Sequence, residues 1–174
     1  MKLFILTKCV SGRSKCSPSS QIYPSQPLAG EALEAGVWEG VKECADKYEI
    51  STDSIEPKNN QGAKVFRIYD DTYAWKIKVV ETVLNPGDTA CVLLHAHNGG
   101  YVAYAEARVF PDMEKAREAM QASFEEAQKM WRLMKGKSLY RSVESSIAED
   151  RASLCHEDDV ETWAIEQHPI PAQS

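Results

Sequence analysis

The sequence predicts an α+β fold built by tandem duplication: a hairpin, a helix and a second hairpin, repeated once. The strands form an antiparallel sheet, both helices pack on one side of it, and a pseudo-twofold axis relates the halves. Three observations carry this expectation. Asp70-Asp71-Thr72-Tyr73-Ala74-Trp75-Lys76-Ile77 and Asp158-Asp159-Val160-Glu161-Thr162-Trp163-Ala164-Ile165 both read D-D-x-x-x-W-x-I, 88 residues apart. Ile22-Tyr23-Pro24-Ser25 matches Val109-Phe110-Pro111-Asp112 at an offset of 87, each an apolar strand end followed by an aromatic, a proline and a helix-capping residue. Val37, Val41, Cys44 and Tyr48 match Met120, Phe124, Ala127 and Trp131 at an offset of 83.

Taken in order, residues 1–87 form the first repeat and 88–174 the second, packed as one body. The first opens on a hairpin whose loop, between Ser11 and Ser20, is rich in serine, glycine and basic residues. A helix over 30–48 follows, because Leu33, Val37, Val41, Cys44 and Tyr48 recur at the period of one buried helical face. Gly36 and Gly40 interrupt it, each costing about 1 kcal/mol relative to alanine. Their counterparts Ala119 and Ser123 are also small, which predicts a close approach, helix to helix, across the pseudo-twofold axis.

Residues 64–80 read as a hairpin turning at Asp70-Asp71, with Tyr73, Trp75, Ile77 and Val79 on one face and Lys76 and Lys78 on the other. Asn85-Pro86-Gly87-Asp88 is a turn, too short for a linker between independent domains. The second repeat reads as a hairpin over 90–110 turning at Asn98-Gly99-Gly100, a helix over 112–135 and a hairpin over 146–167. In that helix Met113, Ala116, Met120, Phe124, Ala127, Trp131 and Met134 make one apolar stripe, with Gly136 placed to stop it.

Composition narrows the classes of function. No apolar run approaches the roughly 20 residues of a membrane span, and the apolar stretch that starts at Met1 meets Lys8 too early for a secretory signal. A cytoplasmic protein with no membrane partner is expected. Five cysteines without a CxxC spacing point to free thiols. Residues 1–87 carry 11 basic and 11 acidic side chains and residues 88–174 carry 9 and 15, so the net charge of −6 belongs to the second repeat. Glu149, Asp150, Glu157, Asp158, Asp159 and Glu161 therefore predict an acidic surface that attracts a basic protein. Lys78 aligns with Glu166, a reversal of sign that follows the same trend. Direct nucleic-acid binding is disfavoured, since its affinity rests on lysine and arginine neutralising phosphates. Trp38, one position off the buried stripe, is a candidate interface anchor.

Catalytic signatures are sparse. The phosphate-binding loop, GxGxxG, HExxH and GxSxG motifs are absent, and neither catalytic residues nor a cofactor is expected. One alternative stands on His95-Ala96-His97: on a strand both rings point to one side, and with Cys91 they could ligate a metal in a small hydrolase. A catalytic zinc needs three dependable ligands, and His156, a further donor, aligns with the apolar Ile68. Cys9 and Cys16 flank Arg13-Ser14-Lys15, a basic loop able to lower a thiol pKa, without a base nearby in sequence. A further alternative is a structural adaptor that binds peptide edges.

The D-D-x-x-x-W-x-I hairpin end, the Ala- and Glu-rich helix before it and the acidic balance resemble small proteins of phages and mobile elements in anaerobic bacteria, anti-CRISPR inhibitors among them. That resemblance implies a non-catalytic inhibitor whose acidic surface occupies the nucleic-acid groove of a basic partner such as a nuclease.

Overall fold

The computed structural model describes residues 1–13, 15–98, 105–135, 143–156 and 159–172. Period-two alternation dominates the chain from its start. In β1 (Lys2–Gly12) Ile5 and Cys9 point to one face and Leu6 and Val10 to the other. β2 (Lys15–Tyr23) pairs antiparallel with β1, and helix α1 (Gln26–Tyr48) follows. The chain then passes a short 3₁₀ turn to β3 (Lys58–Asn60), β4 (Ala63–Ile68) and β5 (Asp71–Glu81). The second repeat runs through β6 (Thr89–Asn98), β7 (Ala105–Phe110), α2 (Met113–Lys135), β8 (Glu144–Ile147), β9 (Arg151–His156) and β10 (Asp159–Pro169).

Each repeat builds its own five-stranded antiparallel sheet, ordered β2-β1-β5-β4-β3 and β7-β6-β10-β9-β8. The duplication and its pseudo-twofold relation are therefore visible strand by strand. Trp75 lies opposite Lys8 on β1, and Trp163 lies opposite His95 on β6, so both indoles sit at the middle of a central strand.

The layers are arranged differently from the sequence-based expectation of both helices on one side of a sheet. One cluster joins Leu6, Phe66, Tyr73 and Trp75 to Leu33, Val37, Val41 and Cys44 of α1. Its twin joins Leu93, Leu154, Trp163 and Ile165 to Ala116, Met120, Phe124 and Trp131 of α2. A third cluster lies between the sheets and is shared, with Ile5, Cys9 and Cys16 packed on Val92, Leu94, Ala96, Ala107 and Val160. The order is thus helix, sheet, sheet, helix, and the central strands β1 and β6 are buried on both faces. Small side chains on β6 and β7 let the two sheets close without a helix between them.

The small-residue strip also has a different partner from the helix pair expected. A Cβ built on Gly40 would lie 2.5 Å from Cη2 of Trp75, and one on Gly36 would lie 3.2 Å from its Nε1. In the second repeat Ser123 accepts a hydrogen bond of 3.0 Å from Trp163 Nε1. The helices are small there because each receives the tryptophan of its own sheet. The helix-interior cost of glycine is offset by burial of an indole that is 1% exposed.

Element ends also differ in detail. α1 starts at Gln26, before residue 30, with Ser25 in extended conformation ahead of Pro27 in the first turn. The outermost strands β3 and β8 have no apolar alternation, and β8 is exposed throughout, so no sequence signal marks them. Gly99 and Gly100 of the expected turn after Asn98 lie outside the described residues, as does Gly136 beyond α2.

Candidate functional site

The repeats carry grooves at equivalent places, between the helix and the hairpin that precedes it. The first, about 450 Å³, is floored by Trp75 and lined by Lys8, Ser20, Gln21, Gly36 and Glu39. The second, about 460 Å³, is lined by His95, Lys78, Arg108, Ser123 and Glu126. In each a basic residue lies over the tryptophan: Lys8 Nζ is 5.9 Å from the Trp75 ring centroid, and His95 stacks on Trp163 at 4.7 Å and 6°.

Behind His95 lies a polar cluster that the first repeat lacks. His95 Nε2 is 2.7 Å from Glu161 Oε1, and Trp131 Nε1 donates to Glu161 Oε2 at 2.7 Å. Burial pushes the Glu161 carboxyl up, but the hydrogen bonds from His95 and Trp131 and the nearby His97 outweigh it and hold the group below its ordinary range. The corresponding residue of the first repeat is Tyr73, stacked on Phe66 at 4.8 Å in an aromatic core. Comparing the two copies of the motif was the available signal, because it sets Glu161 against Tyr73 and Trp131 against Tyr48.

This placement corrects the reading of Glu161 as an external contact: it is 8% exposed and engaged inside its own repeat. Nor does the acidic hairpin form one face. Glu161 points toward α2, while Glu166, an odd number of residues away on β10, points toward the first repeat. There Glu166 Oε2 accepts the Ser20 hydroxyl at 2.6 Å and the Ser20 backbone N–H at 2.8 Å. The reversal against Lys78 is explained across the same seam, since Lys78 and Lys76 reach Glu106 of β7 at 3.4 and 3.3 Å. Charge that diverged between the copies is thus partly spent joining them.

Of the remaining acidic candidates, Glu149 is exposed and lies 3.3 Å from Arg117, and Asp150 is exposed and lies 3.9 Å from Arg151. Asp159 is half-buried at the start of β10, paired in register with His156. Glu157 and Asp158 lie outside the described residues.

The metal alternative is not assembled. His97 is exposed, His95 is held by Glu161, and Cys91 is buried four residues along the strand, about 13 Å from His95 at 3.3 Å per residue. Among the described residues no three His, Cys, Asp or Glu side chains converge as metal ligands. The adaptor alternative meets an obstacle at the outer edge of β2. Ser20 directs its N–H outward to Glu166, so Pro18 two residues earlier also faces outward and has no N–H to give.

Trp38 is 53% exposed on the outer face of α1, with Lys42 Nζ 5.4 Å from its ring centroid. Around it α1 carries Glu31, Glu34, Glu39, Glu43 and Asp46 against Lys42 and Lys47, five acidic to two basic. The corresponding count on α2 is four to five. Helix α1 is therefore acidic overall and α2 balanced, the opposite of the count taken over whole repeats. Glu34 and Glu43 reach Lys64 and Lys8 at 3.7 and 3.5 Å, while Glu31, Glu39 and Asp46 make no ion pair among the described residues.

Comparisons with protein-family models, curated proteins and solved structures find no match to this chain. Among the described residues no helix is long and apolar enough to cross a membrane.

Proposed function

We propose that the protein is a non-catalytic, cytoplasmic interaction protein that holds a basic protein surface against the outer face of α1. The observation that carries this reading is Trp38, a large aromatic left half-exposed on a helix that carries five acidic side chains against two basic ones. An indole contributes apolar contact at small conformational cost, and such residues are frequent anchors of interfaces. The surrounding carboxylates speed docking onto lysine- and arginine-rich surfaces and disfavour nucleic acid as the direct ligand. Glu149 and Asp150 stand apart from this face, since Glu149 pairs with Arg117 of α2 on the opposite outer layer. The resemblance to anti-CRISPR inhibitors supplies the partner class: a nuclease whose nucleic-acid groove α1 would cover.

The test is competition. Guide-loaded CRISPR nucleases are mixed with a labelled DNA target, and displacement by the protein is followed by fluorescence anisotropy at two salt concentrations. The reading expects salt-sensitive displacement by the wild type. Potency should fall about tenfold or more in Trp38→Ala and further in the triple variant Glu31→Lys, Glu39→Lys, Asp46→Lys. Displacement unaffected by these changes would remove α1 from the interface, and no displacement of any nuclease tested would remove the partner class.

A further inference from the structure

The first hairpin holds a pair of thiols that the proposed interaction does not use. Cys9 on β1 and Cys16 on β2 point to the same face and meet with their sulfurs 3.4 Å apart. Cys9 lies opposite Pro18 and Cys16 opposite Ser11, so the two are diagonal neighbours across the strand pair. Cys9 is 0% exposed and Cys16 is 7% exposed, so Cys16 is the less enclosed of the two. Both belong to the apolar cluster between the sheets, where Ala96 occupies the strand position equivalent to Cys9. A single buried cysteine behaves as a small hydrophobe, but two sulfurs in contact form a site with its own chemistry.

We propose that Cys9 and Cys16 are a reversible dithiol site, oxidised by hydroperoxides to an intramolecular disulfide that staples β1 to β2. The Cys16 thiolate attacks hydrogen peroxide, forming a sulfenic acid and releasing hydroxide. Cys9 then attacks the Cys16 sulfur, forming the S–S bond and expelling the oxygen as water once its proton is transferred. Overall two thiols and one peroxide give one disulfide and two waters. The division of roles follows from geometry, since Cys16 is the less enclosed residue and the Cys9 sulfur lies 3.4 Å from it, placed to resolve it. The electrostatics agree: the hydrogen bond between the thiols lowers Cys16 and raises Cys9, whose burial raises it further. A disulfide has an S–S length of about 2.05 Å, so closure requires the sulfurs to approach by roughly 1.3 Å from their 3.4 Å contact. Diagonal neighbours on paired strands lie about 7–8 Å apart, at the upper end of what a disulfide spans, so closure combines side-chain rotation with a small approach of β1 and β2.

The experiment treats the full-length protein with hydrogen peroxide, blocks remaining thiols with iodoacetamide under denaturing conditions and maps peptides by mass spectrometry. The expected product has lost two of its five titratable thiols, carries a Cys9–Cys16 linked peptide, and regains both thiols with dithiothreitol. In Cys9→Ser, Cys16 should stop at sulfenic acid, trapped by dimedone, and in Cys16→Ser, Cys9 should stay reduced. Circular dichroism checks that each variant is folded, and the wild-type peptide map decides the question if either is not. Oxidation that leaves Cys9 and Cys16 both alkylated, or that takes Cys16 to sulfinic acid with Cys9 still free, overturns the proposal.

Discussion

Trp75 and Trp163 occupy the same place in two copies of one design, yet their surroundings have diverged in opposite ways. Around Trp75 the helix has been emptied, with glycine at 36 and 40 giving the indole room, and the sheet face is aromatic through Phe66 and Tyr73. Around Trp163 the helix keeps side chains at Ala119 and Ser123, and the sheet face admits a carboxylate tied to His95 and Trp131. Close contact in the first repeat and hydrogen bonding in the second solve the same problem of seating an indole between helix and sheet. A shared fold therefore tolerates either solution, provided the central strand keeps its tryptophan.

The largest effect expected comes from removing that common element. Trp75→Ala and Trp163→Ala should each cost about 3–5 kcal/mol, measured by urea unfolding. Because Ile5 and Cys9 of one sheet pack directly on Val92 and Leu94 of the other, both variants should unfold in one transition. A variant that melts one repeat while the other survives would show that the intersheet core does not couple them.

The duplication was legible because tryptophan is rare and recurred in register with two acidic residues before it. Both helices were legible from their apolar period, and the strand after Asp71 from alternation at Tyr73, Trp75 and Ile77. The layer order was not, because alternation says which residues share a face but not what covers it: Ile5 and Leu6 are both buried, against a sheet and a helix respectively. Glu161 misleads for a related reason. In sequence it belongs to a run of carboxylates, and only the register of β10 against β6 places it opposite His97 and beside His95. Trp38 was legible as lying off the buried stripe, and its exposure follows from that angular offset.

Glu161 separates the repeats by pH as well as by packing. A carboxyl held below its ordinary range in the folded protein stabilises it above the unfolded pKa of about 4.3, and that contribution disappears as pH falls through the lowered folded value. Glu161→Gln should therefore cost about 1–3 kcal/mol at neutral pH, leave the cost smaller in acid, and flatten the acid limb of stability against pH. Equal losses at pH 7 and pH 3 would show that Glu161 acts through its shape alone.

The smallest differences lie along the seam, where Glu106 and Glu166 give a comparison within the second repeat. Both are held below the ordinary carboxylate range against the upward push of burial, Glu106 by Lys76 and Lys78 and Glu166 by His168 and Ser20. Glu106 is 49% exposed at its side chain and faces flexible ammonium groups at 3.3 and 3.4 Å, a setting in which water and salt replace the interaction readily. Glu106→Gln should cost at most about 1 kcal/mol, and less in high salt. Glu166 instead accepts two short hydrogen bonds from Ser20, one of them the outward backbone N–H of an edge strand that would otherwise lose its partner. Glu166→Ala should cost about 1–2 kcal/mol with little salt dependence, and it should also raise hydrogen exchange at the Ser20 amide. If both variants respond equally to salt, the seam is held by net charge, and the cap on β2 contributes nothing of its own.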